Sequence, residues 1–241
     1  MTHKIDALML GGLARLHTLL TAHGFYPVAI STGLCLGLFA FRVYLSRTWT
    51  FSFLLWNLFL AWLPYLCSLF TVTLHRRYPR RWWLLPFPAL ISIAFFPNAP
   101  YIITDFVHLT ERSPVPLWYD IGLLAGFAWT GIVLGSYTLR ILQNILRARI
   151  GTLLSWVFAL GVLGCSGMGI YMGRFLRWNS WDLVTQPRAV LYDIAIRLRH
   201  PLGNKETYGV TLLYAALMFI FYLALTAGPV SSPTEERDAS P

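Results

Sequence analysis

The chain has 241 residues, 56% hydrophobic and only 12% charged, with a formal charge of +9 and a mean hydropathy of +0.58. Soluble domains carry about a quarter charged residues, so the composition excludes an ordinary soluble globule and points to a polytopic membrane protein of one domain. The positive balance does not indicate nucleic-acid binding, because the arginines cluster in short loops at span ends, where the positive-inside bias accounts for them.

Residues 1–24 form an N-terminal segment. Ile5 to Leu20 is apolar but holds Asp6, Gly11, Gly12, Arg15 and His17, and no small-residue cleavage site follows. It reads as an amphipathic helix on the membrane surface rather than a cleaved signal. A transmembrane domain, 25–227, then carries six apolar runs at about 25–46, 51–74, 82–109, 117–139, 151–173 and 208–227. Each approaches or exceeds the ~20 residues that cross a hydrocarbon core. Trp49, Trp82, Trp83, Trp118 and Tyr208 sit near their ends as interfacial anchors. Cys35, Cys67 and Cys165 all fall inside spans and read as packing residues, not a disulfide framework. Residues 228–241 are rich in Pro, Ser and acidic side chains and are expected to be disordered.

Arg76, Arg77, Arg80 and Arg81 lie between spans 2 and 3, and Arg140, Arg147 and Arg149 between spans 4 and 5. The positive-inside rule places both loops, and with them both termini, in the cytoplasm. The segment 174–207 carries five more arginines and Lys205 on the opposite side, so those charges are expected to have a task. Within it Val190, Leu191, Ile194, Ala195 and Leu198 recur at helical spacing, with Asp193 and Arg197 as an i,i+4 pair. An outer amphipathic helix is expected there, with a solvated loop as the alternative.

Span 5 carries Gly161, Cys165, Gly169 and Gly173 one turn apart, and span 4 carries Gly122 with Gly126 and Gly131 with Gly135. Small residues at that spacing let helix backbones approach closely. Spans 4 and 5 are therefore expected to pack against each other or against span 3.

Span 3 ends in FFPNAPYIITDFVHL, Phe95 to Leu109. Pro97 has no N–H and biases Phe96 away from the helix, so the helix is expected to break there. Asn98 suits an N-cap and Pro100 the first turn of a new half-helix, about 99–109. Residues 82–96 rise about 22 Å, which puts the break inside the membrane, where irregular backbone survives only in protein or along a cavity. The new helix would align Asn98, Tyr101, Asp105 and His108 and offer its N-terminus to an anion. A merely kinked span is the alternative.

Two further stretches reach the same side. In GRFLRWNSWD, Gly173 to Asp182, Arg174 and Arg177 are i,i+3 neighbours whose guanidinium forks suit a carboxylate or phosphate, followed by Asn179, Ser180 and Asp182 in a polar turn. In LWYD, Leu117 to Asp120, Tyr119 and Asp120 open span 4, and Asp120 reads as a helix cap or a buried acid. Mixed-sign polar residues at membrane depth are expensive and usually functional. Arg–Asp pairs that only hold helices in place would explain part of the set.

Together FPNAPYIITDFVHL, WYD and GRFLRWNSWD resemble the signature segments of the bacterial family catalogued as domain of unknown function 1361. The resemblance extends over most of the chain, from about span 1 through span 6. It implies a small multi-spanning bacterial membrane protein and supplies no activity.

Two other chemistries are set aside. Gly164-Cys165-Ser166-Gly167 matches the serine motif of rhomboid proteases, but span 6 has no histidine to act as base. His108 is the one histidine near the acidic cluster and lacks zinc-ligand spacing, so no metal and no cofactor are expected. Asn57 and Pro64 in span 2 mark either a polar pathway or a helix-to-helix hydrogen bond.

The expected fold is all-α: six membrane helices, the third broken at Pro97 and Pro100. The leading functional expectation is an outer-face site for an anionic or lipid-linked head group, in contact with the lipid bilayer. Arg174 and Arg177 would hold the anion; Asp105 and His108 would be catalytic acid/base or orienting groups. Asn98, Tyr101, Tyr119, Asp120, Asn179 and Asp182 would complete the binding set. The alternatives are a small transporter or channel, and a structural or assembly protein whose cluster is a salt-bridge network without a substrate.

Overall fold

The computed structural model describes residues 2–226, with side chains from Gly12 onward; the tail expected to be disordered, 228–241, lies outside them. The chain folds into helices α1 (Thr2–Ala22), α2 (Phe25–Ser46), α3 (Phe53–Arg77), α4 (Pro86–Phe95), α5 (Asn98–Tyr101), α6 (Leu117–Phe175), α7 (Asp182–Thr185), α8 (Pro187–Arg199) and α9 (Lys205–Thr226). Short 3₁₀ turns precede α4 at Trp82–Leu84, follow α5 at Ile102–His108 and precede α9 at Pro201–Gly203. Among the described residues there is no strand, only an isolated bridge between Arg112 and Val115.

Five segments are long and apolar enough to cross a membrane: Phe25–Ser46, Phe53–Arg77, Trp82–His108, Leu117–Phe175 and Lys205–Thr226. Leu117–Phe175 has 59 residues. As one straight helix it would run about 88 Å, far beyond a ~30 Å core. It reverses instead at Gly151, whose φ of 83° and ψ of 176° leave helical space and suit glycine. The reversal is visible in the packing, since Gly131 and Gly169 both meet the same short stretch, Pro97 to Ala99. Six crossings result, and the protein is an all-α membrane bundle.

The bundle is organised on the broken third span. α4 ends at Phe95, and the amides of Phe96 and Ala99 bond only three residues back, to Ile93 O at 3.2 Å and Phe96 O at 3.1 Å. The expected second half-helix is four α-residues followed by a tighter 3₁₀ run. Asn98 is not its side-chain N-cap. It is the first residue of α5, and its amide donates to Phe95 O at 2.9 Å, a carbonyl at the interrupted end of α4. Nor does α5 present an open N-terminus to an anion, because the amides of Ala99 and Tyr101 bond Phe96 O and Pro97 O.

The small residues of α6 seat this break. A Cβ on Gly131 would stand 2.3 Å from Ala99 O, one on Gly169 2.7 Å from Pro97 Cγ, and one on Gly173 3.1 Å from the Tyr101 ring. Gly167 does the same for α9, where a Cβ would lie 2.2 Å from Thr211 O. Gly122 and Gly161 face open space, so the stripes are used only in part. The α3 helix tolerates Pro64, whose own carbonyl accepts a 2.7 Å bond from Ser92 Oγ on α4.

Two apolar clusters fill the interior. Leu54, Leu58, Ala61, Tyr65, Leu123 and Phe127 join α3 to the first half of α6. Phe96, Ile132, Leu139, Leu163, Met218 and Tyr222 join the break, both halves of α6 and α9. One end of the bundle gathers His23, Arg76, Arg140 and Thr226, so α1's C-terminus and α9's C-terminus share the arginine-rich side. The other, the loop end, carries 109–116 and 176–204. There the amphipathic helix expected within 174–207 forms as α8, with Asp193 and Arg197 paired at 3.4 Å.

Candidate functional site

At the loop end, the break in span 3 borders a cavity of about 710 Å³. Its walls come from α3 (Trp56, Asn57), the break (Pro97, Asn98, Tyr101), the second half of α6 (Cys165, Met168), the loop 178–181, α8 and α9. Asn98 Nδ2 donates to Ser180 Oγ at 2.8 Å and so ties the break to the loop that covers it. The apolar stripe of α8, Val190, Ile194 and Leu198, faces the cavity. Trp178 Nε1 donates to Asp193 Oδ2 at 2.8 Å, and Tyr208 OH donates to Arg197 O at 3.2 Å, which hold α8 in place. The exposed side chains Trp56, Trp181 and Leu212 mark the open side, Trp56 and Trp181 as an edge-to-face pair 6.4 Å apart.

Behind one wall lies an ion-pair network. Arg174 Nη2 donates to Asp105 Oδ1 at 2.6 Å, and Asn57 Nδ2 donates to Asp105 Oδ2 at 2.7 Å. Arg174 Nε and Nη2 also donate to Thr104 Oγ1, the former at 2.9 Å, and Nη1 lies 3.3 Å from His108 Nε2. The guanidinium sits 4.7 Å above the Tyr101 ring. Both carboxylate oxygens and every guanidinium nitrogen of this pair are thus engaged. Asn57 and Tyr101 belong to the network and to the cavity wall at once.

A second pair stands apart. Asp120 takes a bidentate contact from Arg42 of α2, Nε to Oδ1 at 2.7 Å and Nη2 to Oδ2 at 3.1 Å, with both side chains 1% exposed. The Arg42 guanidinium also lies 4.4 Å over the Phe51 ring. Neighbouring Tyr119 donates its hydroxyl to Leu38 O at 2.8 Å. Neither Tyr119 nor Asp120 lines the cavity, so the expectation that all the outer-end polar residues form one site divides into two places.

Other expected members also separate. The α6 helix stops at Phe175, and Arg177 has a left-handed φ of 61°. The i,i+3 relation with Arg174 is thereby lost, and Arg177 is exposed and outside the cavity lining. Asp182 folds onto its own loop, accepting from the Asn179 amide at 2.7 Å and from Thr185 Oγ1 at 3.3 Å. Asn179 itself lines the cavity.

The matched family agrees with this geography. The family described as Protein of unknown function (DUF1361) matches over residues 56–221. The chain belongs to this family. The family's match begins inside α3, so it contains the whole cavity wall, Asp105, Asp120 and Arg174 but not α2 with Arg42. No curated protein and no solved structure matches the chain.

Sequence reasoning passed over Arg42, Thr104 and the cavity face of α8. Arg42 had one available signal, a lone arginine within an apolar span, which requires a buried partner. Asn57 was noted for its polarity, but its partner lies 48 residues away and no local spacing reveals it. Ser166 is buried, and among the described residues its hydroxyl has no hydrogen-bond partner.

Proposed function

We propose that this protein binds an amphiphile at the outer leaflet of a bacterial inner membrane, its apolar part in the cavity and its polar head beneath the loop 178–181. The observation that carries the reading is the cavity itself. At about 710 Å³ it falls within the ~300–1,000 Å³ of ligand sites, which are typically apolar with a few placed polar groups. Ile93, Met168, Met172, Ile194 and Leu212 supply the apolar wall; Asn57, Asn98, Tyr101, Asn179 and Ser180 supply the polar groups. Asn98, Tyr101 and Asn179 then contact ligand, while Arg174, Asp105 and His108 hold Tyr101 and Asn57 in position. Binding is favoured over acid/base catalysis because Asp105 is buried behind the wall, held by Asn57 and Arg174, and does not line the cavity, so it is out of hydrogen-bond reach of a substrate seated there. A through-channel is disfavoured by the apolar cluster of Phe96, Leu139, Leu163 and Met218 toward the arginine-rich end.

The outer-leaflet assignment follows from the arginine-rich end being cytoplasmic. Thiol labelling from outside tests it: a cysteine placed at Ser113 reacts and one placed at Arg147 does not, and the reverse overturns it. The binding reading is tested with a diazirine-bearing diacylglycerol, an uncharged amphiphile, in nanodiscs. Adducts are expected at Met168, Met172 and Cys165. Adducts confined to the outward faces of α2 and α3 would overturn it.

A further inference from the structure

The chemistry of the cavity wall discriminates between possible head groups, resting on the amphiphile reading above. Among the described residues no charged side chain lines the cavity. The Arg174 guanidinium is engaged by Asp105, Thr104 and His108 behind Tyr101, and that of Arg197 on α8 is paired with Asp193. An anionic head would therefore be desolvated without a counter-charge, which is strongly unfavourable.

The polar groups that do line the wall are amides and hydroxyls, and their orientations are set by their partners. Asn57 Nδ2 faces a carboxylate and Asn98 Nδ2 faces the Phe95 carbonyl, both of which only accept. Neither amide can be flipped without losing its bond. Asn57 Oδ1 and Asn98 Oδ1 are left as acceptors with no partner among the described residues. Ser180 Oγ accepts from Asn98, which leaves its proton to donate, and the Tyr101 hydroxyl is likewise without a partner among the described residues. The wall thus presents acceptors as well as donors. An ionised phosphate only accepts, and would leave both amide oxygens opposite its own oxygens. A hydroxyl both donates and accepts and satisfies either kind. The indoles of Trp56 and Trp181, paired at 6.4 Å at the open side, add amphipathic rings that pack the C–H face of a pyranose.

We infer that the head group is uncharged and polyhydroxylated: the ligand is a glycosyl unit on a lipid anchor, with its sugar hydroxyls on Asn57, Asn98 and Ser180. The full-length protein in a polyoxyethylene detergent is titrated by native mass spectrometry with monoglucosyl diacylglycerol, phosphatidic acid and diacylglycerol of the same acyl chains, and with free maltose. The glucosyl lipid binds at least about tenfold more tightly than either other lipid. Ser180→Ala and Asn98→Ala each reduce that preference by about two- to tenfold, the worth of one neutral hydrogen bond. Ser180 sits in a loop and bonds only Asn98 among the described residues, so its variant keeps the fold even where Asn98→Ala does not.

Phosphatidic acid binding as tightly as the glucosyl lipid would overturn the head-group inference and leave the amphiphile reading standing. Equal binding of diacylglycerol would do the same. Maltose saturating the site at the lipid's affinity would overturn the lipid anchor, and no binding of any lipid would overturn both readings.

Discussion

Two of the arginine–aspartate pairs in the loop half of this bundle join distant helices, and they differ in what surrounds them. Arg42–Asp120 is closed: bidentate, 1% exposed on both sides, capped by the Phe51 ring. Arg174–Asp105 is open on the arginine side, 18% against 1% exposed, and is spread over Thr104, His108, Asn57 and Tyr101. The first joins α2 to α6, and none of the side chains it contacts, Ser46 and Phe51, lines the cavity. The second fixes two residues of a cavity wall. The same ion-pair chemistry thus serves as a clamp in one place and as the backing of a site in the other.

The sharpest test of this contrast is to remove one acid from each. In Asp120→Ala the Arg42 guanidinium is left buried and uncompensated, at a cost of about 3–5 kcal/mol. Thermal melting in detergent should show a large loss, while binding to the protein that remains folded is unchanged. Replacing both partners, Arg42→Met with Asp120→Leu, should recover most of the loss, because an apolar pair of similar size has no charge to desolvate. A small effect of Asp120→Ala would mean that water reaches Arg42 and that the pair is not closed.

The open pair should cost less and reach further. Arg174 is partly exposed and keeps Thr104 and His108 when Asp105 is lost. A double-mutant cycle of Asp105→Ala with Arg174→Ala should give a coupling of about 1–3 kcal/mol. Unlike the first pair, both single variants should weaken amphiphile binding, since Asn57 and Tyr101 lose their fixed positions. Additive effects with binding intact would show that the network does not support the wall.

These differences explain how far the sequence could be read. The six spans, the break at Pro97 and Pro100 and the use of small residues around it were legible, because each rests on local rules: span length, the missing proline donor, and glycine spacing. The grouping of polar residues was not. Asp120 shares a membrane side with Asp105, yet its partner Arg42 stands 78 residues earlier in a span that shows no carboxylate of its own. The 3₁₀ run 102–108 turns every three residues rather than every 3.6, and Asp105 and His108 meet Arg174 behind the wall while Asn98 lines the cavity. The helix end at Phe175 changes the direction of Arg177. The cavity face of α8 was hidden for another reason, since amphipathicity shows that a face is covered but not by what.

Arg177 offers a smaller test within one motif. Arg174 is held by four residues, whereas Arg177 occupies the left-handed position just past the helix, where the Trp178 amide bonds Met172 O at 3.1 Å. Glycine adopts that conformation without the Cβ clash. Arg177→Gly should therefore stabilise the protein by up to about 1 kcal/mol and leave the cavity's affinity unchanged. A loss of stability would place Arg177 in a contact that its exposed position does not indicate.

The smallest effect contrasts the loop end with the arginine-rich end. There His23 is half-buried, its carbonyl accepts from Tyr65 OH at 3.1 Å, and Arg76 Nη2 lies 3.2 Å from its Nε2. Arginine only donates, so Nε2 accepts and the ring is neutral. Burial first, then the positive charges of Arg76 and Arg140, hold the imidazole below its ordinary value near 6.5. In the unfolded chain the same ring takes a proton near that value. As the pH falls below it, the unfolded state binds more protons than the folded one, and stability declines until the folded ring also protonates. The melting temperature should be flat above about pH 6.5 and fall toward about pH 5, before carboxylates begin to contribute. In His23→Gln the part of that fall due to the ring should vanish, while the double-mutant coupling of Asp105 with Arg174 is unchanged, since the two ends share no side chain. A melting temperature that rises with acid in the wild type and not in the variant would mean that His23 meets an acceptor, and that Arg76 is not its partner.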